Sequence, residues 1–278
     1  MSRTGLEYRL SITQILQFTS LYQVPVVGPD VCGFSSNVTE TLYASSFYIF
    51  FRNHAKISST SQEFYRWPTV AESAHKSISI RYQLLDYIYT AIYKQNQTST
   101  PTLNPLFFNY PNDTNTYPID LQFFYGNSIL ISPITKENST KYISAEVNYT
   151  DITVHYKCGI VYSQHIESAN TTTALRKMGF NIVIAPGLDG TAEGSLYLDD
   201  GKSVVQDVVS EIDFKYAHGK LSMTGTFEYD IGVNIETIIV LGVDSKLKTR
   251  HADYDAKNKK LVVHVDVPLT KKAHVKVL

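Results

Sequence analysis

Two cysteines in 278 residues, Cys32 and Cys158, exclude a disulfide-built scaffold. They could pair with each other, but two separate buried thiols are the expected arrangement, because Cys32 falls at the end of an apolar run. Neither sign of charge dominates: 25 Lys and Arg stand against 26 Asp and Glu, a net charge of -1. That balance gives no electrostatic case for a polyanionic partner such as nucleic acid. No apolar run approaches the roughly 20 residues of a membrane-spanning helix, and the opening MSRTGLEYRL holds no apolar signal region. The eight histidines lie scattered, with no two at ligand spacing on one element, so neither a metal nor a cofactor is expected. Tryptophan occurs once, whereas tyrosine occurs 20 times. Exposed tyrosines suit sugar contacts, although tyrosine-rich sheets are the commoner reason for such a count.

What is present sorts into three stretches, expected as domains over 1–97, 98–172 and 173–278. In the first, Leu6, Leu10, Ile12, Ile15, Leu16 and Phe18 recur at helical spacing and predict a helix over 6–21. Val24, Val26 and Val27 read as a short buried strand ending at Gly28, and Phe47 to Phe51 as a second. Each run is followed by polar groups, Asp30 after the first and Arg52-Asn53-His54 after the second. Buried strands with polar groups at their C-terminal ends are how a parallel α/β barrel presents its site. Val70, Ala74, Ile78, Tyr82, Leu85, Ile88 and Ile92 then predict one long helix over 67–95. Pro68 suits its first turn, Thr69 and Glu72 fit a capping box, and the polar run Gln95 to Pro101 ends it.

Beyond residue 101 the period becomes that of strands. Leu106–Phe108, Ile129–Ile134, Ile152–Val154 and Ile160–Tyr162 are expected to form a small sandwich. Asn181–Ala185, Gly194–Leu198 and runs at 212–217, 221–229, 236–242, 247–254, 260–267 and 272–277 form another. Asp199-Asp200-Gly201 is the strongest hairpin signal. Calcium ligation by Asp189, Asp199 and Asp200 matches no metal-loop spacing, so turn chemistry is the expected role. The fold class is therefore α/β plus all-β.

A series of motifs gives that architecture a family. Gly28-Pro29-Asp30-Val31-Cys32-Gly33-Phe34 and Phe47-Tyr48 through Arg52-Asn53-His54 resemble consecutive motifs of glycoside hydrolase family 31, the α-glucosidase family. The resemblance continues through Trp67-Pro68, Val70-Ala71-Glu72, Arg81-Tyr82, Leu84-Leu85, Pro105 to Phe108 and Ser195 to Gly201. It implies the C-terminal fragment of a (β/α)8 barrel, two strands and a closing helix, followed by two β-sandwich domains. By this resemblance His54, Asp30 and Phe34 line the pocket for a terminal glucose: His54 bonds a hydroxyl, and Phe34 packs on the ring. Asp30 binds a hydroxyl or orients a neighbouring polar side chain. An α-glucoside or oligosaccharide is the implied ligand, and the other barrel half a possible partner chain.

The same resemblance predicts no catalytic residue in this chain. Counting back from Ser11-Ile12 by the family's spacing puts the acid/base Asp one position before Met1, and the nucleophile lies on an earlier strand. Retaining cleavage needs two carboxylates about 5 Å apart, so the chain alone is expected to be inactive. The segments between Phe34 and His54 and between Lys141 and Asp151 are also shorter than is usual in the family. A non-catalytic β-sandwich protein binding glycans or a partner, with 101–278 folding alone, is the alternative; a truncated product without function is another. Six Asn-x-Ser/Thr sequons, at Asn37, Asn96, Asn112, Asn138, Asn148 and Asn170, make glycosylation candidates and suit a secretory route.

Overall fold

The computed structural model describes residues 5–31, 33–34, 37–40, 52–133, 141–142, 145–146, 151, 153–244 and 252–278. The chain divides into two units. One comprises 1–81 and 94–155, the other 82–93 and 156–278.

The first unit opens with helix α1, Gly5–Ser20, whose buried face carries Ile12, Ile15 and Leu16. The predicted helix is therefore present; the buried strand at Val24–Val27 is not. Val24 N–H donates to the Phe18 carbonyl and Gln23 takes a φ of 58°, so these residues belong to the turn that ends α1. Val24 and Val26 are exposed, and Pro25 removes a donor that a central strand would need. The first strand comes slightly later, as β1, Asp30–Val31, which pairs in parallel with β2, Arg52–Asn53. The predicted strand at 47–51 lies outside the described residues.

The long helix expected over 67–95 is two: α2, Pro68–Gln83, and α3, Leu85–Thr98, parted at Leu84. Pro68 does begin α2, but the capping box does not form. Thr69 Oγ1 donates to Glu40 instead, and Glu72 accepts from Lys76 at 2.6 Å. Val70 and Ala74 of α2 bury against Val31 and Val38, which ties β1 to the helix. Residues 106–108, expected as a strand, form the helical turn α4, Leu106–Asn109, after β3, Leu103–Pro105. Pro105 supplies an extended N-cap there, and the apolar triplet has no period to choose strand over turn.

Strands β4 (Phe123–Tyr125), β5 (Ile129–Ser132) and β8 (Thr153–Tyr156) complete a four-stranded sheet in the order β3-β4-β5-β8. Between them β6, Lys141–Tyr142, pairs with β7, Ala145–Glu146. Gln95 fastens the start of β3 to α1. Its Oε1 accepts from the Thr102 N–H at 2.8 Å and hydroxyl at 2.6 Å, and its Nε2 faces Gln23 Oε1 at 3.0 Å.

The second unit is built on a nine-stranded sheet. Its strands are β9 (Ile160–His165), β10 (Phe180–Ala185), β11 (Ala192–Leu198), β12 (Ser210–Ala217), β13 (Lys220–Phe227), β14 (Asn234–Leu241), β15 (Ala252–Asp255), β16 (Lys260–Pro268) and β17 (Ala273–Lys276). They run in the order β15-β16-β14-β10-β9-β11-β12-β13-β17. The boundary expected at 172/173 falls between β9 and β10, which pair antiparallel. Leu221 on β13 and Leu261 on β16 share one buried cluster with Phe180, Ile184, Leu196 and Phe214, so the sheet curls around a single core. Strand β12 shows why the period works: Ile212, Phe214 and Tyr216 are buried, while Glu211, Asp213 and Lys215 face outward.

Strands β11 and β12 pair antiparallel as expected, but through a loop over 199–209 rather than a tight turn. Asp200 accepts there from Lys202, Ser203 and Gln206, and these bonds hold its carboxyl well below the usual range. Asp189 likewise accepts from the Thr191 N–H and hydroxyl. Cys158 sits exposed in the turn before β9, contrary to the buried thiol expected, and Cys32 lies outside the described residues.

The helix segment 82–93 completes this unit. Tyr93 stacks on Tyr197 with ring centroids 3.7 Å apart, and its hydroxyl donates to Glu211 at 2.7 Å. Tyr89 donates to Asp199 at 2.7 Å, and Thr90 Oγ1 accepts the Tyr197 N–H at 3.0 Å. Asp86 meets the ring of buried His165. Among the described residues no helix is long and apolar enough to cross a membrane.

Candidate functional site

The parallel pair β1/β2 sets Asp30 opposite Arg52 and Val31 opposite Asn53. Asp30 leads into a turn in which its carbonyl accepts the Gly33 N–H, with Gly33 at a φ of 95° that glycine tolerates freely. That turn brings Phe34 alongside the chain leaving β2, where the Lys56 N–H donates to the Phe34 carbonyl at 2.7 Å. Phe34 and His54 consequently stack, with ring centroids 5.1 Å apart and planes 24° from parallel.

Arg52 Nε donates to Asp30 Oδ1 at 2.6 Å. The bond and the charge of Asp30 raise the Arg52 pKa further, so the guanidinium stays charged at any working pH. The guanidinium is well exposed while the carboxylate is mostly covered, which leaves the cation facing outward. Asn53 donates to the Gln62 carbonyl at 3.0 Å, and Asn37 accepts from the Thr60 N–H at 2.9 Å and hydroxyl at 2.8 Å. These bonds brace the loop that follows His54.

The three residues named from the motifs thus lie around one strand pair. Phe34 and His54 form an exposed aromatic step. Asp30 sits opposite Arg52 in the strand register and bonds to it. Such a surface offers an apolar ring face next to charged hydrogen-bonding groups, a combination that suits a pyranose. Arg52 is a candidate that the motif reading did not single out. Its signal was its place two positions before His54, but the pairing with Asp30, 22 residues away, depends on strand register.

Comparison with known proteins identifies the family. The glycosyl hydrolases family 31 TIM-barrel domain matches residues 3–91, and the glycosyl hydrolase family 31 C-terminal domain matches 99–177. A probable alpha/beta-glucosidase agdC of Neosartorya fischeri is 44% identical over 296 residues, covering 95% of this chain and 34% of that protein. The agdC protein of Aspergillus fumigatus is 47% identical over 266 residues, 85% of this chain and 30% of that one. An alpha-glucosidase of Hordeum vulgare is 35% identical over 228 residues, 71% of this chain and 26% of the barley protein.

Among solved structures, a glucosidase II alpha subunit superposes over 100% of this chain and 37% of its own, with a TM-score of 0.88 at 23% identity. A Flavobacterium johnsoniae dextranase superposes with a TM-score of 0.74 at 16% identity, covering 98% of this chain and 42% of its own. At those identities the likeness shows the fold. The chain spans about a third of the length of the curated relatives it matches. It belongs to glycosyl hydrolase family 31, of which it carries part of the TIM-barrel domain and the C-terminal domain.

Proposed function

We propose that these residues are the C-terminal portion of an α-glucosidase that removes terminal α-linked glucose by the retaining route. In this reading the strand ends at 30–34 and 52–54 form one wall of the glucose pocket. His54 donates to or accepts from a sugar hydroxyl. Phe34 covers the ring's apolar face. Asp30 acts by holding Arg52, which presents its remaining N–H groups to an oxygen of the substrate. The Asp30–Arg52 pair beside the Phe34–His54 stack is the observation that carries the reading, together with the order of the family motifs.

The wall binds and orients; it does not cleave. A retaining glycosidase splits the bond with two carboxylates about 5 Å apart, one attacking the anomeric carbon and one protonating the leaving oxygen. Asp30 is already bonded to Arg52, so it is poorly disposed to either task. The 278 residues on their own are therefore expected not to hydrolyse an aryl α-glucoside. Turnover by the purified chain, abolished by a glucosidase inhibitor, would overturn that part. Binding tests the wall separately: glucose titrated into the chain should perturb the His54 ring resonances, and Phe34→Ala should remove the perturbation. Identical spectra with and without sugar would count against the wall.

A further inference from the structure

We propose that Asn112 carries an N-linked glycan whose first N-acetylglucosamine rests on the exposed ring of Tyr110. Six sequons occur in the sequence, and Asn112 alone has an aromatic residue two positions before it. The corresponding residues are Ser35, Lys94, Lys136, Glu146 and Ser168 for the other five. The structure makes that spacing meaningful. Asp113 N–H donates to the Tyr110 carbonyl at 3.1 Å, closing a β-turn over 110–113 with Pro111 and Asn112 at its centre.

Such a turn reverses the chain between its first and fourth residues, which keeps a sugar on the Asn112 amide within reach of Tyr110. Asn112 is exposed, and Tyr110 and Tyr117 are exposed by 40% and 56%. The Tyr117 hydroxyl donates to the Pro111 carbonyl at 2.8 Å and so holds a second ring against the same turn. The C–H face of a pyranose packs on such rings and removes apolar surface from water. The other described sequons lack this setting. Asn96 stands within α3, with the Thr98 hydroxyl bonded to the Lys94 carbonyl at 2.8 Å. The Asn37 amide oxygen is held by Thr60, and Asn170 precedes a helical cap.

The transfer balances simply. The Asn112 amide nitrogen bonds to the anomeric carbon of a polyprenyl-diphosphate-linked oligosaccharide, the bond from that carbon to the phosphate oxygen breaks, and the lipid diphosphate leaves. The amide gives up one proton to a base of the transferase. No electron donor or acceptor takes part.

The test is to secrete the full chain from yeast behind an added signal sequence and map its glycopeptides by mass spectrometry. Asn112 should be occupied, and trimming to a single N-acetylglucosamine should keep the thermal midpoint, whereas removing that last sugar should lower it by about 2–4 °C. Tyr110→Ser should abolish that difference while Asn112 still bears sugar. An unmodified Asn112, or a midpoint difference that survives Tyr110→Ser, would overturn the proposal. If the chain is retained in the cell, the same peptides, from the parent chain and from Tyr110→Ser, are read from the microsomal fraction.

Discussion

Asp86→Ala probes the contact that joins the helix segment 82–93 to the nine-stranded sheet. His165 is fully buried, with Nδ1 3.2 Å from the Met178 carbonyl oxygen and Nε2 2.5 Å from Asp86 Oδ2. Its ring also lies on Phe180, with centroids 4.4 Å apart. A carbonyl only accepts, so Nδ1 donates, and the Nε2 contact needs one more proton, on either the ring or the carboxyl. Deleting the carboxylate strands a buried ring nitrogen. An unmade buried hydrogen bond costs about 1–3 kcal/mol and a broken buried ion pair about 3–5 kcal/mol, so a loss of about 3 kcal/mol is expected. For this size of unit that lowers the melting midpoint by about 6–12 °C, read by near-ultraviolet circular dichroism of the tyrosine-rich sheet. Adding His165→Leu removes the stranded nitrogen and should recover about 1 kcal/mol or more. A double variant that loses the simple sum of the two single effects would refute the reasoning.

Three further outcomes follow from the same coordinates. A Cβ at Gly194 would overlap the Val161 carbonyl, so Gly194→Ala should cost well over 2 kcal/mol, whereas Gly190→Ala meets nothing and should cost about 1 kcal/mol for its φ of 75°; urea unfolding separates them. Gln95→Leu leaves the buried Thr102 N–H without its acceptor and should destabilise the first unit by about 1–3 kcal/mol in the same assay. Burial first, and then bonding to Glu211 and Asp199, push the Tyr93 and Tyr197 hydroxyls up to about 12. A raised folded value means stability that is full below pH 10 and lost as pH rises from 10 toward 12. Melting midpoints across that window should fall less steeply in Tyr93→Phe, and an unchanged slope would discount the pair.

How much could be read from residues alone depended on whether a segment's burial has a period. Strand β12 alternates without error because one face meets the core and the other meets water. Helices α1 and α2 were equally plain. The break at Leu84 was not, since no proline or glycine marks it and the apolar spacing continues across. The three valines at 24–27 and the triplet at 106–108 are too short to carry a period, and there the neighbouring Pro25 and Pro105 decided the outcome. The site followed a similar division. Phe34 and His54 were visible as motif members, but their stacking and the Asp30–Arg52 bond arise from pairing across more than 20 residues. No local pattern encodes that pairing.

The helix segment 82–93 belongs to a unit whose other members are not made until residue 156 and beyond. During synthesis it must therefore wait for more than sixty intervening residues, and then for the strands from β9 to β12, before Asp86, Tyr89 and Tyr93 find their counterparts. Cutting the chain at residue 101, the boundary suggested by its polar stretch, would take that clasp away from the sheet. His165, Tyr197 and Glu211 would lose their partners Asp86 and Tyr93 on that segment. A gene fusion or exon junction placed there would divide one folding unit while seeming to separate two.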